Sequence, residues 1–204
     1  MTGEMTERNE PRMQNDFGSA DGDRLPEPER WKVLGNRSLY SSPWIGLDLV
    51  KVVPPGREPY EHHVARVADA VGVVLRHPDR GVLLLHRYRF ITDTSGFEIP
   101  AGALDEDEGV EDAAAREVLE ETGWTVRDMS RMLVCNPSDG VSDQRFHFVL
   151  ATADEQTGEP VDAYESSARV WFRPDELSSL LRDGKVPGAL TSVALLHALH
   201  FGML

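Results

Sequence analysis

The chain has 204 residues, 40% of them hydrophobic, and a formal charge of -14, which suits one domain of ordinary size plus a tail. That charge argues against sequence-independent binding to nucleic-acid phosphates. The one cysteine, Cys135, excludes an internal disulfide framework or thiolate zinc site.

Residues 1–30 hold eight acids, four arginines and three prolines, too little apolar surface to offset the entropy of ordering, and are expected to form a disordered tail. They contain no apolar signal region. Nowhere does an apolar run reach the roughly 20 residues of a membrane span, so the expected location is the cytoplasm. Order is expected from Trp31, with strands at 31–40 and 44–53, the second alternating as WIGLDLVKV, then a turn at Pro54-Pro55-Gly56. A β-rich stretch follows, with strands at 64–75 and 81–90 joined by the hairpin signal HPDRG. Leu83, Leu85, Arg87 and Arg89 share one face of the second, because side chains alternate along a strand.

A helix is expected from Val110, whose apolar stripe is Val110, Ala114 and Val118, stopping at Gly123, where a left-handed residue belongs. Further strands are expected at 132–135 and 146–151 around the loop NPSDGVSDQ, and at 170–172. Two helices, 174–184 and 191–201, close the chain. Strands followed by helices in this order predict an α/β/α sandwich around a mixed sheet, preceded by a small N-terminal β-sheet. The organisation expected is a tail at 1–30, N-terminal strands at 31–63 and a main domain at 64–204.

Residues 102–124, GALDEDEGVEDAAAREVLEETGW, concentrate nine acids and one base. Glu117 and Glu121 are four apart and Glu117 and Glu120 three apart, so their carboxylates project from one helix face and repel one another. Glutamate pairs at this spacing are most often solvated surface charge. The alternative is a site for a hard divalent cation such as Mg²⁺, which takes oxygen ligands and bridges carboxylates to substrate phosphates. Arg116 points about 100° around the helix from Glu117 and is expected to pair with a carboxylate elsewhere, Glu108 being the candidate.

The complete pattern is Gly102, five residues, Glu108, seven residues, then Arg116-Glu117-Val118-Leu119-Glu120-Glu121-Thr122-Gly123-Trp124. It resembles the Nudix box, G-x5-E-x7-R-E-U-x-E-E-x-G-U, where U is bulky and apolar. All seven named polar or glycine positions match, although Asp107 sits where a glycine is common. Phe97-Glu98-Ile99-Pro100-Ala101-Gly102 resembles the entry to the box in ADP-ribose and nucleoside-diphosphate-sugar pyrophosphatases, and the loop 136–144 resembles another segment of that subgroup. That loop carries Asp139 where proline is common and Gln144 where glutamate is common.

The resemblance implies a Mg²⁺-dependent hydrolase, with Mn²⁺ able to substitute, that splits the diphosphate of ADP-ribose or a related nucleoside diphosphate sugar. It implies Glu117 and Glu121 as principal metal ligands, assisted by Glu120 and the Ala101 carbonyl. Glu165 is the candidate general base, and Glu108, Arg116 and Glu120 complete the catalytic set. Arg87, Arg89 and Glu98 are candidates for holding the small-molecule nucleotide substrate. The N-terminal strands imply a homodimer. Two alternatives stay open: the same chemistry on another nucleotide, such as NADH or a pathway-specific compound, and a non-catalytic nucleotide sensor. The histidines and Cys135 read as ordinary structural or surface residues.

Overall fold

The structure is a computed structural model and describes residues 26–161 and 166–204. The expected tail lies outside the described residues as far as position 25, and residues 26–31 carry no helix or strand. Three antiparallel strands, β1 (Lys32–Ser41), β2 (Gly46–Val53) and β3 (Tyr60–Arg66), form a separate sheet in the order β1-β2-β3. β2 buries Asp48, Leu49, Val50 and Val52, so both of its faces are partly covered and the expected alternation breaks at Leu49-Val50. β1 is exposed along its whole length.

The seven-stranded sheet comprises β4 (Ala70–His77), β5 (Gly81–Arg89), β6 (Thr94–Glu98), β7 (Ala101–Ala103), β8 (Trp124–Cys135), β9 (Phe146–Gln156) and β10 (Ala168–Phe172). Its main order is β10-β5-β4-β9-β8, with β6 beside β5 and β7 beside β4. β4 and β9 run parallel and the other pairs antiparallel, so the sheet is mixed.

The expected strand at 64–75 is two strands in two sheets, and β3 runs through the expected domain boundary at 63–64. The break has a polar cause. The Asp69 carboxylate accepts the Arg145 main-chain N–H at 3.0 Å and its guanidinium at 2.8 Å, turning the chain from one sheet into the other. The loop after β8 ties the two sheets together. Ala65 donates its N–H to the Val141 carbonyl at 2.8 Å, and Arg66 reaches both Asp48 and Asp143 at 3.0 Å.

Helix α1 (Val110–Thr122) covers one face of the large sheet, and α2 (Pro174–Arg182) with α3 (Ala189–His200) covers the other. Alternation along the central strands supplies both cores. Val71, Val73, Leu75 and Leu83 pack toward α1, whereas Val74, Leu84 and Phe148 pack toward Leu177 and Leu195. Each such side chain contributes about 1.5–3 kcal/mol on burial. The expected α/β/α sandwich is the observed architecture.

One detail of the sheet positions the site. β4 and β5 pair only beside their tight turn, through Arg76–Val82 and His77–Gly81. Further on they separate, and β6 takes the free edge of β5 while β7 takes that of β4. The main chain from Glu98 to Ala103 therefore enters the sheet where it splits, under α1.

Candidate active site

α1 holds the acids inward. Its buried residues are Val110, Ala113, Ala114, Glu117, Val118, Glu121 and Thr122, the i, i+3, i+4 set of one face. Glu117 and Glu121 are 8% and 4% exposed. The solvated-helix alternative therefore fails for these two carboxylates, while Glu120 beside them remains at the rim.

The split in the sheet receives them. The Ala101 N–H donates to Glu121 Oε2 at 3.1 Å. Gly102 lies so close to Glu117 that any Cβ there would overlap its carboxylate. A side chain at 102 would have to displace that carboxylate, so glycine serves close approach here rather than dihedral freedom. At the other end of α1, Gly123 takes φ 75° and donates its N–H to the Leu119 carbonyl at 2.9 Å, the left-handed stop that its sequence position predicts.

Burial of carboxylates in low dielectric disfavours their charge. Burial raises the Glu121 carboxyl to a pKa of about 7, partly offset by the Arg87 guanidinium and the Ala101 N–H. Burial likewise raises Glu117, against the opposing hydrogen bond from Arg116. Glu108 moves the other way, to about 2, because Arg116 hydrogen-bonds its charged form.

Arg116 bonds Glu108 twice, Nε to Oε1 at 2.9 Å and Nη2 to Oε2 at 2.8 Å, the bidentate geometry that suits a guanidinium. The expectation that it turns away from Glu117 needs correction. Its Nη1 reaches back to Glu117 at 2.7 Å and Glu120 at 3.2 Å, because a long side chain spans the 100° that separates the Cα positions. Nη2 also donates to the Ala103 carbonyl at 3.0 Å, and Glu108 accepts the Asp105 N–H at 3.0 Å. One arginine thus fastens the loop before α1 to the helix. Within that loop Asp107 adopts φ 65°, the left-handed region that favours glycine.

Arg87 and Arg89, neighbours on one face of β5, differ in depth. Arg87 is buried and ion-paired with Glu121, with side-chain exposures of 4% and 5%. Arg89 is half exposed and holds Glu98 through Nη2–Oε2 at 2.5 Å and Nε–Oε1 at 3.0 Å. These two arginines, with His86, Tyr88, Ser95, Ser166 and Ser167, line a cavity of about 590 Å³. Glu165 lies outside the described residues. Sequence reasoning missed Arg169, whose Nε donates to the Glu121 carbonyl at 2.7 Å. Nothing in its local sequence separates it from a surface arginine of a short strand.

The donor set fits a hard divalent cation. Two desolvated carboxylates one helical turn apart meet the main chain of Ala101 and Gly102, and Gly102 has no side chain to close the space. Among the described residues no three acidic, histidine or cysteine side chains converge as placed. Arg87 and Arg116 engage the carboxylate oxygens, so a cation held by Glu117 and Glu121 would have to replace those contacts.

Comparison with known proteins follows the same lines. A NUDIX domain description matches residues 66–194. A CMP-5'-(N-acetyl-N-hydroxy-3-aminopropyl)phosphonate hydrolase of Streptomyces rubellomurinus is 33% identical over 85% of this chain and 84% of its own. An ADP-ribose pyrophosphatase of Mycobacterium tuberculosis is 24% identical over 84% of this chain and 86% of its own. The crystal structure of an ADP compounds hydrolase covers 87% of this chain and 96% of its own at a TM-score of 0.73; at 18% identity the likeness is one of fold.

Proposed function

The chain belongs to the Nudix hydrolase family, and from that premise we propose that it hydrolyses, with Mg²⁺, the diphosphate of ADP-ribose or a related nucleoside diphosphate sugar, releasing a nucleoside monophosphate and a sugar phosphate. Family members generally use divalent metal ions. The observation that carries the proposal is the inward pair Glu117 and Glu121, desolvated and held against Ala101 and Gly102. A solvated helix would not bury its charges in this way.

In this reading Glu117 and Glu121 hold Mg²⁺, or Mn²⁺ in its place, with Glu120 and the Ala101 carbonyl assisting. The bound cation supplies Lewis acidity toward the diphosphate oxygens and lowers the pKa of water. Glu108 and Arg116 keep the loop before α1 in register with the helix. Arg87 and Arg89 bring guanidinium donors to phosphate oxygens, a pairing their planar fork suits, and Glu98 orients Arg89. Glu165 is the proposed base and must come within hydrogen-bond reach of the attacking water in the bound complex. A homodimer built through β1–β3 and a cytoplasmic location belong to the same proposal.

A second substrate class is favoured by the Streptomyces rubellomurinus relative, whose name joins cytidine monophosphate to a phosphonate. The bond that such a nucleotide offers again links a nucleoside 5′-phosphate to a second phosphorus. One assay separates the readings. Purified protein with Mg²⁺ is given ADP-ribose, GDP-mannose, NADH, a CMP-alkylphosphonate and nucleoside triphosphates, and nucleoside monophosphate is quantified. Release of AMP from ADP-ribose or GMP from GDP-mannose with the highest kcat/KM is expected. CMP release from the phosphonate alone would move the assignment to the second class, and no monophosphate from any compound would remove the catalytic reading.

A further inference from the structure

The C-terminal half of α1 is electrostatically costly. A helix ends in unsatisfied carbonyls that carry about half a negative charge, and here the same turns carry Glu117, Glu120 and Glu121, with no basic residue in the last turn. Part of the carbonyl demand is met locally. Thr122 donates its hydroxyl to Val118, Gly123 its N–H to Leu119, and Thr157 its N–H at 2.9 Å to Gly123. The carbonyl of Glu121 is met from across the sheet, by Arg169 Nε at 2.7 Å.

The register of β10 explains how. Arg169 stands opposite Leu85, and Trp171 opposite Leu83. Directly opposed residues in an antiparallel pair share a face, and Leu83 and Trp171 belong to the core under α1. Arg169 therefore rises on the α1 side, diagonal to Arg87 two residues further along β5. The two arginines grip one residue at two points: Arg87 takes the Glu121 carboxylate and Arg169 its main-chain carbonyl. Arg169 Nη2 is closed off from solvent and, among the described residues, finds no acceptor. An inward guanidinium with a donor unsatisfied costs stability, and an apolar side chain of similar volume serves a core better.

We propose that Arg169 is a positioning residue for the metal site. By fixing the main chain at Glu121 it sets the height of that carboxylate above Ala101 and its spacing from Glu117. The inference rests on Glu121 being a metal ligand, as proposed above. Outer partners of this kind typically change metal affinity by about 10–100-fold when removed.

The test is Mn²⁺ binding to substrate-free protein by electron paramagnetic resonance, alongside monophosphate release as a function of Mg²⁺. Three variants are compared: Arg169→Met, which removes donor and charge; Arg169→Gln, which keeps a donor without charge; and Glu121→Gln. Arg169→Met is expected to weaken Mn²⁺ binding about tenfold and to raise the activating Mg²⁺ concentration in parallel. Arg169→Gln is expected to bind Mn²⁺ within about threefold of the parent, since the carbonyl contact is what matters. Unchanged or tighter binding in a folded Arg169→Met protein overturns the inference. If that variant does not fold, a change of tenfold or more in either direction in Arg169→Gln overturns it. Failure of the underlying reading looks different: the parent then takes up no Mn²⁺, or Glu121→Gln binds it as well as the parent.

Discussion

The inward face of α1 and the N-terminal sheet β1–β3 break opposite rules. α1 buries charge: Glu117 and Glu121 are almost withdrawn from water and held by Arg116 and Arg87. The sheet exposes apolar surface, with Trp31, Val33, Leu34, Leu39, Tyr40, Trp44, Ile45 and Tyr60 all open to solvent. A buried carboxylate costs free energy unless something of opposite charge meets it, whereas exposed apolar side chains are a cost only while nothing covers them. The two regions thus carry the two halves of the proposal, a cation on α1 and a second copy of the chain on the sheet. The sheet is joined to the loop after β8, not to α1, by contacts that include Ala65–Val141 and Arg66–Asp143.

The comparison breaks most sharply at Glu121. If the face of α1 is the catalytic centre, Glu121→Gln lowers kcat by about 10³-fold or more, since metal chemistry supplies several kcal/mol, with circular dichroism unchanged. A variant that keeps a tenth of the parent rate would reduce the buried pair to a structural feature. Next comes Gly102→Ala. The added methyl displaces the Glu117 carboxylate, and a shift of roughly 1 Å in a reacting site costs about 10²-fold. The readout is kcat at saturating Mg²⁺ in a protein whose melting temperature shows that it is folded; an unaltered kcat would mean that Glu117 can move without consequence.

On the other side of the comparison, Trp44 is 86% exposed at the turn between β1 and β2. Aromatic anchors of an interface cost about 2 kcal/mol or more when truncated, so Trp44→Ala is expected to weaken the proposed dimer by about 30-fold. Sedimentation velocity across a concentration series measures this. A parent that stays monomeric at tens of micromolar, as an order of magnitude, or a variant with the parent's dissociation constant, removes Trp44 from the proposed dimer interface.

How much of this was legible depends on which residues carry their signal locally. α1, its Gly123 stop and the Glu108–Arg116 pair are written in spacing, because a helix repeats every 3.6 residues and each contact spans fewer than ten positions. β6 and β7 were not legible. Thr94-Ser95-Gly96 offers no apolar alternation, and β7 has three residues, so both exist through main-chain pairing to β5 and β4. Only the last four residues of β8 were expected as strand. Its first half carries charges and register shifts, with Asp128 at φ 50°, which erase the period-two pattern. Within the site, the depth of Arg87 and the reach of Arg169 are set by cross-strand register between segments far apart in sequence, with Arg169 opposite Leu85. Asp107 is the converse case, an acid where glycine is common that occupies the left-handed conformation.

The smallest effect concerns the rim of the acid face, where Glu108 contrasts with its buried neighbours. Its carboxyl lies at about 2, against an ordinary value of 4.5, because Arg116 bonds the charged form. A group whose folded pKa is depressed contributes stability that is fully present above the unfolded value and is lost as pH falls through the folded one. Glu108 therefore stabilises the fold above pH 4.5 and loses that contribution between pH 4.5 and 2. A charge-assisted pair of this kind is worth about 1.5 kcal/mol, partly screened because Arg116 is 28% exposed. Urea unfolding of the parent and Glu108→Gln should differ by that amount at pH 7 and by less than half of it at pH 3. A gap that stays constant, or widens as acid is added, would show that the Arg116 guanidinium finds its stabilisation in Glu117 and Glu120 instead, and that the brace between the loop and α1 is not electrostatic.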